Sequence, residues 1–192
     1  MKNITLEGKL KSEVGKKSAL KLRANGEIPC VLYGNGENIT FSVTVEALQP
    51  IIYTPNSYIV ELDLEGKKEN CVMREIQFHP VSDEILHVDF YRVDPSKPVA
   101  IDVPVKITGS SEGVKQGGKL QQLTRKVKIS ALAKDLPDFI TVDITTLGLG
   151  KSIMVGELPA QGFTILTPKT TVVCAVKMTR AAMGARATAA KK

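Results

Sequence analysis

Tryptophan is absent from the 192 residues, and with four tyrosines and five phenylalanines the chain is only 5% aromatic, so its core must be mainly aliphatic. Cysteine is scarce. Cys30, Cys71 and Cys174 are odd in number and far apart, forming neither a CxxC pair nor a disulfide framework, which points to a reducing compartment and inert thiols. No apolar run approaches the roughly 18 residues of a membrane span, and the start MKNITLEGKL has no apolar signal core. The chain is therefore expected in the cytoplasm, with no membrane partner.

Catalytic and metal-binding signatures are equally thin. No serine sits in a GxSxG elbow, and the glycines of GVKQGG at 113–118 match neither the phosphate loop nor the dinucleotide fingerprint, so they read as a surface loop. Cys30, between Pro29 and Val31, reads as a buried strand residue. The only histidines, His79 and His87, flank the turn-like Val81-Ser82-Asp83-Glu84, and Asp83 or Asp89 could join them in a metal site. The spacing, however, is that of no specific ligand motif. Neither an enzyme nor a metal or other cofactor is expected.

What the chain does have is charge asymmetry. The net charge of +6 divides into +4 over residues 1–33, −6 over 34–100, +2 over 101–157 and +6 over 158–192. A basic start and a C-terminal stretch with no acid after Glu157 suit a polyanion partner, although solvated basic faces would give the same count.

The dominant periodicity is two. Ile4, Leu6, Gly8 and Leu10 alternate with polar residues, as do Ile39, Phe41 and Val43, and further strands are predicted at 28–33, 58–64, 69–78, 85–92, 100–107, 125–132, 139–143 and 171–177. Helices are predicted only at 16–24, where Leu20 and Leu22 must seek the core, and at 44–52, where Thr44 can cap and Pro50 limits regularity. The prolines at 95 and 98 mark an extended connector, giving units at 1–95 and 96–177 and a basic, Ala-rich, mobile tail at 178–192.

Two segments carry candidate binding groups. Over 84–92 the alternation puts Leu86, Val88 and Phe90 on one face and His87, Asp89 and Tyr91 on the other, where Asp89 can orient the His87 ring. If the preceding strand pairs with this one, Gln77 comes near His87 and Asp89, while Arg74 falls on the apolar parity and so implies a bulge, a rim or an edge. The other segment is basic: Lys9, Lys11, Lys16, Lys17, Lys21 and Arg23 can neutralise phosphates, or simply face solvent on an amphipathic helix.

The ordered fragments Gly15-Lys16, Ser18-Ala19, Leu22-Arg23, Gly26, Ile28-Pro29, Leu32-Tyr33-Gly34, Gln77-x-His79-Pro80 and His87-Val88-Asp89-Phe90 resemble the bacterial large-subunit ribosomal protein L twenty-five family. Val103-Pro104-Val105, Gly113-Val114-x-x-Gly117-Gly118-x-Leu120, Leu136-Pro137-x-x-Ile140-x-Val142-Asp143 and Leu147–Gly150 extend the resemblance to its long two-domain form, the general stress protein CTC family. The resemblance implies a mainly β protein: an N-terminal six-stranded β-barrel with a few short helices, followed by a second β domain. It implies binding of 5S rRNA at loop E, with other large-subunit rRNA and ribosomal proteins as neighbours and the protein monomeric within the ribosome. Matched positions make Tyr33, Gln77, His87 and Asp89 base-edge and ribose contacts, and Lys11, Lys16, Lys21 and Arg23 backbone contacts. Lys11 and Lys21 stand where the family often has arginine, and Leu20 where some members are basic. The alternative is a two-domain β scaffold for other proteins with only non-specific RNA affinity.

Overall fold

The computed structural model describes residues 2–11, 15–34, 36, 38–159 and 162–180. Its residues fall into two compact units, Met1–Ile101 with Leu132–Asp138, and Asp102–Ala131 with Phe139–Lys192.

In the first unit, β1 (Lys2–Leu10), β2 (Glu27–Tyr33), β3 (Ile39–Thr44), β4 (Tyr58–Leu64), β5 (Lys67–Phe78) and β6 (Ile85–Arg92) close into a barrel in the order β1-β3-β2-β6-β5-β4. The two parallel pairings, β1 with β4 and β2 with β6, join strands that are distant in sequence. Closure leaves no free sheet edge in this barrel. Alternation does the rest: Leu6, Ile28, Cys30, Leu32, Phe41, Val43, Val60, Leu62, Val88 and Phe90 all point inward and are buried. At one roughly 2 kcal/mol increment per such side chain, aliphatic burial is ample for a core without tryptophan.

Two helices close the unit. α1 (Lys16–Ala24) buries no residue completely, and α2 (Val45–Ile52) buries Leu48 and Ile51. Leu20 does not seek the core as expected; it is 56% exposed. At 100° per residue, positions 20 and 22 lie 200° apart and cannot share a face, so Leu22 is half-buried while Leu20 stays exposed. Thr44 takes the N-cap position of α2, but its side chain makes no capping bond. The Val45 amide instead donates to the Gly26 carbonyl at 3.1 Å.

The second unit holds β7 (Val99–Thr108, entering from the first unit), α3 (Glu112–Lys115), β8 (Lys119–Gln122), β9 (Lys126–Ala131), β10 (Ile140–Asp143), β11 (Ser152–Met154), β12 (Thr164–Ile165) and β13 (Val172–Lys177). They form a four-stranded sheet, β10-β7-β9-β12, and a three-stranded sheet, β11-β13-β8. The segment 113–118, expected as a surface loop, is a helical turn followed by a glycine corner. Ser111 caps it, its hydroxyl accepting from the Val114 amide and donating to the Leu147 carbonyl at 2.6 Å. Gly113 is buried because a Cβ there would lie 2.6 Å from the Gly148 carbonyl carbon. Of the tail expected to be mobile from Met178, Thr179 donates its hydroxyl to the Gly117 carbonyl at 2.6 Å, and residues 181–192 lie outside the described residues. Among the described residues, no helix is long and apolar enough to cross a membrane.

Candidate nucleic-acid interface

Of the candidate residues, Tyr33, Gln77, His87 and Asp89 lie on the barrel wall where β2, β6 and β5 run side by side. The register sets Val31 beside Asp89 and Tyr33 beside Tyr91 on one flank of β6, and Gln77 opposite His87 and Glu75 opposite Asp89 on the other. Since Val88 and Phe90 fill the barrel, His87, Asp89 and Tyr91 must face outward. Core packing therefore fixes the spacing of the polar row.

Two bulges shape this wall. Arg74 is the extra residue of β5 between Met73 and Glu75, so of the bulge, rim and edge that its parity allowed it takes the bulge, and its Nη1 donates to the Ala100 carbonyl at 2.8 Å. A second register shift, between Gln77 and Phe78, leaves Leu86 as the extra residue of β6. The inward row thus starts at buried Ile85 and not at Leu86, which is only half-buried. One extra residue exchanges the faces on either side of it.

His87 Nδ1 lies 2.7 Å from Asp89 Oδ1, with the two side chains 25% and 29% exposed. The carboxylate holds the proton on Nδ1, so in the neutral ring Nε2 is an acceptor, and in the imidazolium it is a donor. Glu75, opposite Asp89, extends an acceptor strip along the wall. Carboxylates accept from amino groups and hydroxyls and repel phosphate, so this strip suits base edges and ribose. Tyr33 and Tyr91 meet edge to face, with centroids 5.6 Å apart. Behind them Arg92 forks onto Glu69, with Nη2 3.0 Å from Oε1 and Nε on Oε2, while Nη1 donates to the Gly34 carbonyl at 2.9 Å.

Beside this row a groove of about 470 Å³ separates α1 from the barrel, lined by Lys11, Lys16, Leu20, Arg23, Pro29 and His87, among others. Four of the eight residues singled out in the sequence, Lys11, Lys16, Arg23 and His87, therefore share one concavity. Gln77 and Asp89 join them through His87, and Tyr33 lies further along the wall beside Tyr91. Lys21 is exposed on α1 outside the groove lining. Arg23 is turned inward: its Nε and Nη2 lie 3.0 and 2.8 Å from the Leu86 carbonyl oxygen. Lys9, part of the same basic segment, pairs with Glu27 at 2.8 Å.

The other chemistry weighed in the sequence is otherwise employed. His79 Nδ1 accepts from the Val81 and Ser82 amides at 3.3 and 3.2 Å, closing the turn before β6. All three cysteines are free and buried, and burial pushes their thiol pKa values up, that of Cys71 to about 12. Glu75 and the Leu86 carbonyl are the parts of the site that sequence reading passes over. Glu75 shares the outward parity of Gln77, a signal that was there to use; a backbone acceptor leaves none.

A polar, acceptor-rich strand face with a cationic groove at its flank has the form of a β-barrel nucleic-acid-binding module. The chain matches the Ribosomal L25p family over residues 6–90 and the C-terminal domain of ribosomal protein TL5 over residues 98–180. Among curated proteins, the large ribosomal subunit protein bL25 of Bacteroides thetaiotaomicron is 50% identical over 196 residues, covering all of both chains. That of Phocaeicola vulgatus is 49% identical, again over the full length of both. The bL25 of Porphyromonas gingivalis is 48% identical over 96% of this chain and 97% of its own. The chain belongs to the ribosomal L25p family.

Proposed function

We propose that this chain is a structural, non-catalytic constituent of the large ribosomal subunit that binds 5S rRNA in its loop E region through the outer wall of the barrel. Family membership supports the ribosomal role, and its full-length relatives are large-subunit proteins of the cytoplasmic ribosome. The observation that carries the RNA-reading site is the His87–Asp89 pair, bonded at 2.7 Å on a strand whose other face is locked in the core, with Gln77 directly opposite.

A-form RNA exposes base edges and 2′-hydroxyls in its wide minor groove, and a convex strand face can approach there as no side chain can in the deep major groove. Tyr33, Gln77, His87 and Asp89 read those edges, and Lys11, Lys16 and Lys21 neutralise the flanking phosphates. The unit spanning 1–95 does the binding; the unit at 96–177 faces other rRNA or proteins of the subunit, with one copy of the chain per ribosome.

Titration of labelled 5S rRNA with full-length protein tests this. His87→Ala and Asp89→Ala should each cost about 1–3 kcal/mol of affinity with unchanged thermal unfolding. Lys16→Ala should instead lower the slope of log K against log salt by about 0.7–0.9. Equal affinity of wild type and the His87 and Asp89 variants would overturn the site and favour a scaffold with non-specific RNA affinity.

A further inference from the structure

We infer that Arg23 is a positioning residue for the His87–Asp89 pair, acting through the backbone of Leu86. Three observations converge on it. The bulge at Leu86 removes that residue from the β5–β6 ladder, since Gln77 pairs with His87 and Phe78 with Ile85. Its carbonyl is then taken by Arg23, whose Nε and Nη2 both donate to the same oxygen, at 3.0 and 2.8 Å, in a partly buried setting. And the Leu86 carbonyl shares a peptide plane with the His87 amide, so whatever fixes the one orients the backbone from which the His87 side chain departs.

A bulge is otherwise a soft point in a strand, because its extra residue has no ladder partner. Here the soft point directly precedes the residue on which RNA reading depends. A planar guanidinium that brings two donors onto one carbonyl oxygen leaves that carbonyl less freedom than a single hydrogen bond would. The same fork ties the last turn of α1 to β6, setting the far wall of the groove that Lys16 and His87 line. With Nε and Nη2 directed at Leu86, Arg23 contributes to RNA binding by shape more than by charge.

The affinity part of this inference rests on the 5S rRNA reading; the part about His87 does not. Arg23→Lys keeps the positive charge and loses the fork, while Arg23→Gln loses both. In free full-length protein, both variants should shift the His87 ring and backbone amide resonances and speed hydrogen exchange in α1, with the remaining barrel resonances unmoved. On 5S rRNA, both should bind roughly tenfold more weakly with the salt slope of wild type. If Arg23→Lys restores wild-type affinity, or if Arg23→Gln lowers the slope by about 0.7–0.9 with His87 resonances unmoved, Arg23 is a phosphate contact and the inference is overturned. Unmoved His87 resonances in both variants overturn it as well. Failure of wild type to bind 5S rRNA would sink the functional reading, and the free-protein spectra would still decide the role of Arg23. Should Arg23→Gln not fold, Arg23→Lys carries the same spectral test.

Discussion

Gly8 sits toward the end of β1, beside Leu64 of β4, at a position where the alternation calls for a core side chain and the sequence supplies none. A Cβ built there would lie 2.8 Å from Leu64 Cδ2 and 2.8 Å from Phe41 Cδ2. The leucine methyl can swing aside, but the phenylalanine ring is fully buried and packed at 5.8 Å against Phe90, so it has nowhere to go. Gly8→Ala should therefore be destabilising. Overpacking of this kind costs about 1–3 kcal/mol, offset by about 0.4–1 kcal/mol from the stiffer unfolded chain, for a net loss of about 1–2 kcal/mol. Phe41→Leu alone opens a cavity and also destabilises. In the double variant each change relieves the other, so its loss should fall short of the summed single losses by at least about 1 kcal/mol. Urea unfolding followed through the hydrogen exchange of barrel amides reads the first unit separately from the second. Strict additivity, or an alanine at position 8 that stabilises, would refute the packing argument.

The remaining predictions concern single groups. In the second unit, Gly113→Ala places a Cβ 2.6 Å from the Gly148 carbonyl carbon and 2.7 Å from the Leu149 amide nitrogen, backbone that cannot swing away, so its three-stranded sheet should lose exchange protection while the barrel keeps its own. The Lys9 ammonium and the Ser42 hydroxyl hold the Glu27 carboxyl below its ordinary pKa. A depressed folded-state value stabilises fully above the unfolded pKa, and that contribution disappears as pH falls through the folded value. Glu27→Gln should accordingly lower stability at neutral pH, where the contribution is fully present, and flatten the acid limb of the stability profile below about pH 5; an unchanged acid limb would contradict the pairing. Cys71, whose thiol burial pushes up to about 12, should label with a thiol reagent at pH 8 only as fast as the barrel opens, whereas prompt labelling of native protein would contradict its burial.

The sequence discloses the barrel where strands are long enough to show their period. β4, β5 and β6 each run seven residues or more; the limits of β4 and β6 match the alternation, β5 begins two residues earlier than expected, and the inward face of β6 follows the alternation only beyond the bulge at Leu86. β11 and β12, at three and two residues, show no period at all, and both escape a reading based on it. Arg74 betrays its bulge because a charge on the apolar parity is conspicuous. Leu86 hides its bulge because an apolar residue on that parity looks correct. The partner of Arg23 is likewise invisible: a side chain bound to another side chain leaves two signals in a sequence, but one bound to a backbone carbonyl leaves one. Gln77, His87 and Asp89 are legible as one site since strand pairing alone assembles them, while the groove beside them depends on where α1 packs, which nothing local dictates.

The central claim is that the outward row on β6 and its neighbours reads 5S rRNA. Hydroxyl-radical footprinting of 5S rRNA with the full-length protein, the His87→Ala/Asp89→Ala double variant and the Lys11→Ala/Lys16→Ala double variant tests it most directly. The account predicts protection centred on loop E with wild type that persists in the presence of a non-specific RNA competitor, and loss of that protection with the first variant at concentrations where the second still protects at low salt. Protection of loop E that survives the loss of both His87 and Asp89, or protection spread evenly along the RNA, would contradict it.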